Sequence, residues 1–290
     1  MDQFSISQLA RFSGIKAHTI RIWEQRYNAL KPDRTEGNTR LYNGSQLRRL
    51  LNIVSLSEKG HRISTLCGLP DKKLSVLVAA ELVKKNAEPK NEFFISQVIS
   101  AGITYNESLF EETFSACVGS MGMREAYLQV IYPVLERIGI LWASENIIPA
   151  SEHFLSNLIR QKIFSAIDSL PAAKENSRWL LLLPPGEYHE LGLLMANYLL
   201  RQAGYPVIYL GPDVPNQSVH DVLAVSKPSN ILGFIVHRDD EGFTSNWMQE
   251  MSSIFRGNIY IACSPGQEVT RRSKRLHFIH TLRELEALFR

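Results

Sequence analysis

The sequence predicts a multidomain protein of the α and α/β classes, built from three successive parts. An N-terminal run of short amphipathic helices with a glycine turn and a hairpin is typical of a winged helix-turn-helix. A middle stretch with apolar residues at helical spacing indicates a four-helix-type bundle. An alternation of short apolar runs with amphipathic helices then indicates a flavodoxin-like (Rossmann-like) parallel α/β domain. We place the three domains at residues 1–74, 75–172 and 177–290.

Composition describes an ordinary globular chain. Of the 290 residues, 44% are hydrophobic and 21% are charged. No apolar run reaches the roughly 18 residues that a membrane span needs, and the first residues lack the pattern of a secretory signal. The three cysteines are far apart and odd in number. They favour reduced thiols over a disulfide frame or a zinc site, so we expect a cytoplasmic protein.

Charge is distributed unevenly between the first domain and the rest. Residues 1–74 hold 13 Lys or Arg against 6 Asp or Glu, a net charge of +7, so the remainder carries −4 of the chain's +3. A basic module on an acidic body is typical of a nucleic-acid-binding protein. A solvated basic face is the alternative.

The first domain begins with two short helices predicted at 5–14 and 17–27 around a turn at Gly14. In a helix-turn-helix the second helix lies in the major groove of DNA, and Arg, Lys and Thr contact bases and phosphates there. Trp23 is expected in the core. The polar positions of this helix, which we predict to contact DNA, are Lys16, His18, Thr19, Arg21 and Arg26.

A hairpin predicted over residues 32–42 forms the wing, with its tip at Gly37-Asn38. Helices are expected to follow at 45–59 and 63–68. The wing residues that we predict to contact the DNA duplex are Arg34, Asn38, Arg40 and Tyr42.

The segments 20–27 and 34–42, together with Ile63, resemble the MerR family of transcriptional regulators over about the first 75 residues. The resemblance implies a dimer that binds an inverted-repeat operator with helix and wing. Many members dimerise through a long coiled coil after this module. No sustained heptad pattern follows here, so another part of the chain must assemble the protein.

The middle domain is predicted to hold four or five helices, with breaks near residues 88–89, 102–103, 119–122 and 146–149. Trp142 ends one of these helices, and Glu152-His153 opens the next. Spacing alone favours a core tryptophan and a helix-capping pair. The alternative is that the tryptophan covers a ligand and that the Glu-His pair provides polar contacts beside it.

The pattern Ile-Gly-x-Leu-Trp, nine residues, Glu-His resembles the helical cap of cobalamin-dependent MerR-type photoreceptor regulators of the CarA, CarH and LitR type. The resemblance implies that Trp142, Glu152 and His153 cover the upper face of adenosylcobalamin. In light-sensing members the residue after this tryptophan is a histidine that replaces the adenosyl group. Here the residue is Ala143, so this chain differs from the light-sensing members at that position, and ordinary light sensing is not implied.

The third domain is predicted to alternate strands and helices. Its strands are expected at 179–183, 206–210, 231–236, 258–262 and 276–279, and its helices at 191–202, 216–226, 245–255 and 281–289. His189 lies on the turn after the first strand, where open α/β sheets bind ligands. A neutral imidazole there can coordinate a metal while a carboxylate such as Glu187 holds its other nitrogen. The alternative is an exposed loop histidine.

Residues 185–192 resemble the loop of B12-binding domains, as does the Leu-Gly-x-Asp-x-Pro turn at 210–215. The resemblance implies that His189 is the lower axial cobalt ligand, with Glu187 and Gly192 also at the cofactor. Two family elements differ. Residues 236–239 (Val-His-Arg-Asp) replace a Ser-x-Leu element, and Ser264-Pro265-Gly266 replaces a Gly-Gly pair. Two alternatives stay open: Pro265 obstructs the pocket for the tail of the cofactor, or Ser264 supplies a hydroxyl to it.

We therefore predict a transcriptional repressor, not an enzyme. It is expected to self-associate as a dimer or tetramer. Its self-association and its binding to the operator would be controlled by a cobalamin, with adenosylcobalamin as the favoured form, held between the bundle and the α/β domain. A response to light is one option. The first alternative is a cobalamin-independent MerR-type regulator that uses the C-terminal domains for oligomerisation or another ligand. The second is a corrinoid carrier or enzyme subunit. It is disfavoured because the chain has no room for a catalytic barrel.

Overall fold

The computed structural model describes residues 3–83, 91–142, 149–236, 241–263 and 274–288, with side chains except at 140–142, 149 and 241–245. The chain divides into two compact units, Met1–Leu155 and Ser156–Arg290. The predicted division into three domains therefore stays a prediction. Among the described residues, no helix is both long and apolar enough to cross a bilayer.

The first unit opens with a winged helix-turn-helix whose helices have well-defined ends. The Ser5 side chain and Gln8 form a reciprocal capping box at the first helix, and Gly14 ends that helix with φ of 70°. Asn28 ends the second helix with φ of 51°. The helices of this module are α1 (Ile6–Ser13), α2 (Ala17–Tyr27), α3 (Gly44–Glu58) and α4 (Ile63–Cys67).

The wing is part of a small antiparallel sheet of three strands. Its strands are β1 (Gln3–Phe4), β2 (Asp33–Arg34) and β3 (Arg40–Asn43), in the order β1-β3-β2. The Phe4 and Phe12 rings meet edge to face at 5.9 Å. This contact joins β1 to α1, so the wing and the helices share one core.

The bundle helices follow within the same unit, with α9 running on into the second unit. They are α5 (Asp71–Val83), α6 (Asn91–Ile103), α7 (Glu107–Ala126), α8 (Tyr132–Trp142) and α9 (Pro149–Asp168). Gly122 has φ of 81°, which interrupts α7 at the predicted break, and a π-helical segment at Tyr127–Ile131 connects α7 to α8. Helix α3 of the DNA-binding module packs along α6. Leu51 of α3 and Val98 of α6 are both fully buried, and the buried Gln97 side chain of α6 donates to the Ser55 hydroxyl of α3 at 2.9 Å.

The second unit is built on a five-stranded parallel sheet of order β5-β4-β6-β7-β8. Its strands are β4 (Trp179–Leu182), β5 (Val207–Gly211), β6 (Asn230–Ile235), β7 (Asn258–Cys263) and β8 (Leu276–Ile279). Its helices after α9 are α10 (Leu191–Gln202), α11 (Asn216–Ser226), α12 (Glu241–Ile254) and α13 (Leu282–Ala287). If the five strands are renumbered 1 to 5 in chain order, they lie side by side in the order 2-1-3-4-5. The predicted flavodoxin-like topology is therefore confirmed.

Both faces of this sheet are covered, as a parallel sheet requires. Leu180 and Leu182 of β4 lie in one core with Trp247 of α12, whereas Trp179 and Leu181 lie in the opposite core with Leu193 of α10. The loop between β4 and α10 therefore emerges at the carboxyl edge of the sheet. The predicted ligand-binding turn lies there.

Candidate functional site

Glu187 is the buried centre of the loop that joins β4 to α10. Its side chain is 1% exposed. Its Oε1 accepts the backbone N–H groups of Tyr188 and His189 at 2.9 and 3.0 Å, and its Oε2 accepts the N–H of Val236 at 3.0 Å. Val236 follows β6, the strand next to β4. The carboxylate thus ties the loop to the end of the neighbouring strand.

His189 extends outward from this loop. Its Nδ1 lies 2.6 Å from Oε1 of Glu187, and its side chain is 48% exposed. Because a carboxylate accepts hydrogen bonds, this contact places a proton on Nδ1, and the neutral imidazole then has its lone pair on Nε2. The geometry fixes the ring orientation and its tautomer, which is the arrangement that a metal-binding histidine needs.

Asp213 braces the opposite side of the loop. Its Oδ1 accepts the N–H of Gly186 at 2.7 Å, and its Oδ2 accepts the hydroxyl of Tyr188 at 3.0 Å. The hydrogen bonds from Gly186 and then Tyr188 lower the pKa of Asp213. Gly186 has φ of 76°, a conformation that favours glycine at this turn.

Gly192 allows the start of α10 to lie close to β6. A Cβ atom at this position would lie 2.9 Å from Cε1 of Phe234. The sequence prediction assigned this glycine to the approach of a corrin. Packing within the domain already requires a glycine here.

The predicted cap residues lie on α8 and α9. Trp142 ends α8, but its side chain lies outside the described residues, as do Ala143 and Ser264. In the first turn of α9, Nδ1 of His153 lies 3.3 Å from Oε2 of Glu152, and the His153 side chain is 70% exposed. The Ser151 hydroxyl donates to the Tyr105 hydroxyl at 3.2 Å, which fixes this turn on the bundle.

The predicted recognition helix α2 displays its cations to solvent. Thr19 is half-buried and Ile20 is buried, whereas Trp23, which was expected in the core, is only half-buried. The exposed polar residues are those that a helix in the major groove presents to DNA. They are Lys16, His18, Arg21 and Arg26.

The wing residues separate into an exposed pair and an internal pair. Arg34 and Asn38 are exposed and hydrogen-bond each other across the hairpin. The Arg40 Nε donates to Glu24 of α2 at 2.9 Å, and the Tyr42 hydroxyl donates to the same carboxylate at 2.9 Å. Tyr42 is fully buried, and burial and then Glu24 raise its pKa. This position favours a structural role for Tyr42 over the predicted phosphate contact.

Comparison with known proteins assigns the chain to a family. Residues 4–69 match the family described as MerR HTH family regulatory protein, and residues 91–164 match the B12 binding domain family. The HTH-type transcriptional repressor CarH of Myxococcus xanthus is 26% identical over 258 residues, covering 88% of this chain and 86% of CarH. The HTH-type transcriptional repressor CarA of the same organism is 30% identical over 244 residues, covering 83% of this chain and 79% of CarA. The chain belongs to the CarA/CarH family of transcriptional repressors.

Part of the fold of this CarA/CarH family member also occurs outside the family. The monomethylamine corrinoid protein of Methanosarcina barkeri matches 69% of this chain and 98% of its own chain, with a TM-score of 0.52 and 12% identity. At that identity the likeness shows a shared fold alone. The family resemblance and the fold class predicted from the sequence are both confirmed.

The β4–α10 loop of this CarA/CarH family protein has a donor set that fits a cobalamin. A corrin ring would supply four nitrogen ligands to its cobalt, and a protein imidazole could supply a further one. His189 is a half-exposed imidazole whose tautomer is set by the buried Glu187. Its Nε2 would therefore be suited to bind the cobalt.

Sequence reasoning missed a second network beside His189. Arg160 of α9 and Glu190, the residue before α10, form an ion pair, and the Tyr209 hydroxyl of β5 donates to Glu190 at 3.2 Å. Burial and then Glu190 raise the pKa of Tyr209. These residues are far apart in sequence and match no short motif. The acidic Glu190 next to a predicted metal-binding histidine was the one available signal.

Proposed function

We propose that this chain is a repressor that binds a cobalamin through His189, and that cofactor occupancy controls its binding to DNA. The observation that carries the proposal is the His189–Glu187 pair at the carboxyl end of β4. Ligands of open α/β sheets bind at this edge. Family membership supplies the repressor function, and the match of residues 91–164 to B12 binding domains supports the cofactor.

In this proposal Nε2 of His189 would bind the cobalt, and Glu187 would keep the imidazole in the required tautomer. The sequence resemblance implies that Gly192 and Ser264 would also contact the cofactor and that Trp142, Glu152 and His153 would cover its upper face. Cobalamin would supply a cobalt ion and, in its alkyl forms, a cobalt–carbon bond. The protein's own residues bind it, orient it and shield it from water.

We also propose that helix α2 and the wing bind an inverted-repeat operator as part of a dimer. The exposed cations Lys16, Arg21, Arg26 and Arg34 support this assignment, because phosphate contacts by Lys and Arg supply most of the affinity for DNA. His18, Thr19 and Asn38 would add polar contacts. Arg40 holds the wing on α2 through Glu24.

The signal is proposed to be cofactor occupancy rather than a light-driven exchange of axial ligands. Ala143 stands where light-sensing members of the resembled family have a histidine. Occupancy would change self-association, and linked DNA-binding modules gain affinity through effective concentration. A gel-filtration profile of the adenosylcobalamin-loaded protein that is unchanged by green light is expected. A light-dependent change of size would make the protein a photoreceptor.

An absorption spectrum tests the cofactor assignment directly. Protein mixed with adenosylcobalamin in the dark and desalted is expected to retain a corrin spectrum. His189→Ala is expected to lose it, whereas His220→Ala, which removes an exposed histidine on α11, is expected to keep it. A corrin spectrum that survives in His189→Ala would show that the ligand assignment is wrong.

A second candidate function is a regulator that works without cobalamin. It is favoured by the replacement of two elements of the resembled B12-binding domains, at residues 236–239 and 264–266. Wild-type protein that stays colourless with excess adenosylcobalamin and methylcobalamin would support this candidate. The C-terminal unit would then serve oligomerisation or bind a different ligand.

A further inference from the structure

Arg137 of α8 contacts the DNA-binding module at the end of its first helix. Its Nη1 and Nη2 each donate to a different carboxylate oxygen of Glu92, in the first turn of α6, at 2.7 Å. Nη1 also lies 3.4 Å from the carbonyl oxygen of Phe12 in the last turn of α1. One guanidinium therefore joins two helices of the bundle to the helix-turn-helix.

The contact falls on the turn that sets the direction of the recognition helix. A Cβ atom at Gly14 would lie 3.3 Å from Nη2 of Arg137, so the guanidinium packs against the turn itself. Lys16 follows as the residue before α2. Any displacement of Arg137 thus acts within a few residues of the start of α2.

Charge makes this placement favourable. The last carbonyl groups of a helix have no partner within the helix and carry partial negative charge, which a cation stabilises. The Ser13 hydroxyl already donates to the Leu9 carbonyl at 2.7 Å, and Arg137 approaches the Phe12 carbonyl. The bidentate pair with Glu92 fixes the guanidinium plane, which a lysine could not do.

The same helix ends at a residue that the sequence resemblance assigns to the cofactor. Trp142 is the last residue of α8, five positions after Arg137. At a rise of about 1.5 Å per residue the two positions are roughly 7.5 Å apart along the helix axis. A helix is a rigid element, so a shift at its end is carried to Arg137.

We propose that Arg137 is a positioning residue that couples cofactor occupancy to the orientation of the recognition helix. It holds the α1–α2 turn in place through Phe12 and Gly14, with Glu92 as its anchor. The coupling to occupancy rests on the proposed function, whereas the hold on the turn does not.

The hold on the turn is tested without any cofactor, by amide hydrogen exchange over residues 13–20. Arg137→Ala and Arg137→Lys are expected to exchange faster there than wild type. Arg124→Ala, which removes an arginine paired with its neighbour Glu125 on α7, is expected to match wild type. Equal exchange in wild type and Arg137→Ala would overturn the proposal, whether or not cobalamin binds.

The coupling is tested by measuring DNA affinity with and without adenosylcobalamin in the dark, on a duplex selected by the wild-type protein from a random pool. Cofactor is expected to change the wild-type Kd by about tenfold, within the usual range of allosteric coupling. In Arg137→Ala this ratio is expected to fall to near one while the corrin spectrum of the protein is retained. A full ratio in Arg137→Ala would refute the coupling role.

The double variant Glu92→Arg with Arg137→Glu separates the two contacts of Arg137. It retains an opposite-charge pair between α6 and α8 but puts a carboxylate next to the Phe12 carbonyl. It is expected to resemble Arg137→Ala in both assays. Wild-type behaviour of the double variant would show that the ion pair alone matters and that the contact with α1 does not.

Discussion

At the residue scale, one buried carboxylate organises the candidate cofactor loop. Glu187 accepts hydrogen bonds from the loop backbone, from Nδ1 of His189 and from Val236 at the end of β6. A buried ionised group is stable only when such partners satisfy it. The same residue thus serves the fold of the loop and the state of the histidine.

Glu187→Ala is expected to lower the free energy of unfolding by about 1–3 kcal/mol, because it leaves buried N–H groups without an acceptor. Loss of the carboxylate behind His189 is expected to weaken cobalamin binding about 10–100-fold. Urea unfolding and spectroscopic titration measure the two effects. Glu175→Ala, at an exposed glutamate of the same unit, is the control and should change neither.

The thiol of Cys117 is predicted to be inert at neutral pH. Burial raises its pKa to about 12, so the reactive thiolate is scarce below that pH. Its alkylation by iodoacetamide is expected to keep rising about tenfold per pH unit beyond pH 9, where an ordinary thiol levels off. Peptide mass spectrometry follows the site. A plateau near pH 9 would contradict the assignment.

At the element scale, helix α2 is the predicted DNA reader because its exposed face is cationic and its other face packs on the module. Arg21→Ala is expected to weaken binding and to reduce the slope of log K against log salt by about one, as loss of one phosphate contact does. Arg256→Ala, an exposed cation of the second unit, serves as the matched control. Equal slopes for Arg21→Ala and wild type would exclude a phosphate contact.

Helix α10 begins close to strand β6, at Gly192. Gly192→Ala would bring a Cβ atom within 2.9 Å of the Phe234 ring. Such overpacking is expected to destabilise the second unit by about 1–3 kcal/mol. Gly119→Ala on α7 meets nothing within 4 Å, so it is expected to be neutral or to stabilise the chain. Thermal unfolding compares the two variants.

Local patterns predicted most elements because capping and periodicity are local. The bounds of α2, α10, α11 and β8 agree with the predictions. Strand β1 was missed, since two residues carry no periodicity and it forms only by pairing with β3. Helix α12 starts at 241 instead of the predicted 245, although Gly242 lies in its first turn.

The site was predictable only where a motif is contiguous. The Glu187–His189 pair lies within three residues, and its hydrogen bond follows from the turn. Burial of Tyr42 against Glu24 and the pairing of Arg160 with Glu190 depend on tertiary packing between distant segments. No sequence spacing encodes such contacts.

At the scale of the whole molecule, the chain joins a basic DNA-binding module to an acidic remainder. The proposal predicts that loading with adenosylcobalamin changes the mass of the protein in solution, because assembly is the proposed route to operator affinity. Gel filtration with light scattering measures it. If wild type retains the corrin spectrum but has the same mass with and without cofactor, cofactor binding does not act through assembly.

The most direct measurement is the DNA affinity of wild type and His189→Ala, each with and without adenosylcobalamin in the dark. The cofactor is expected to change the Kd of wild type for DNA about tenfold and to leave the Kd of His189→Ala unchanged. Both proteins should bind DNA equally in the absence of cofactor. The same cofactor response in both proteins, or none in wild type, would contradict the claim that cobalamin at His189 controls this repressor.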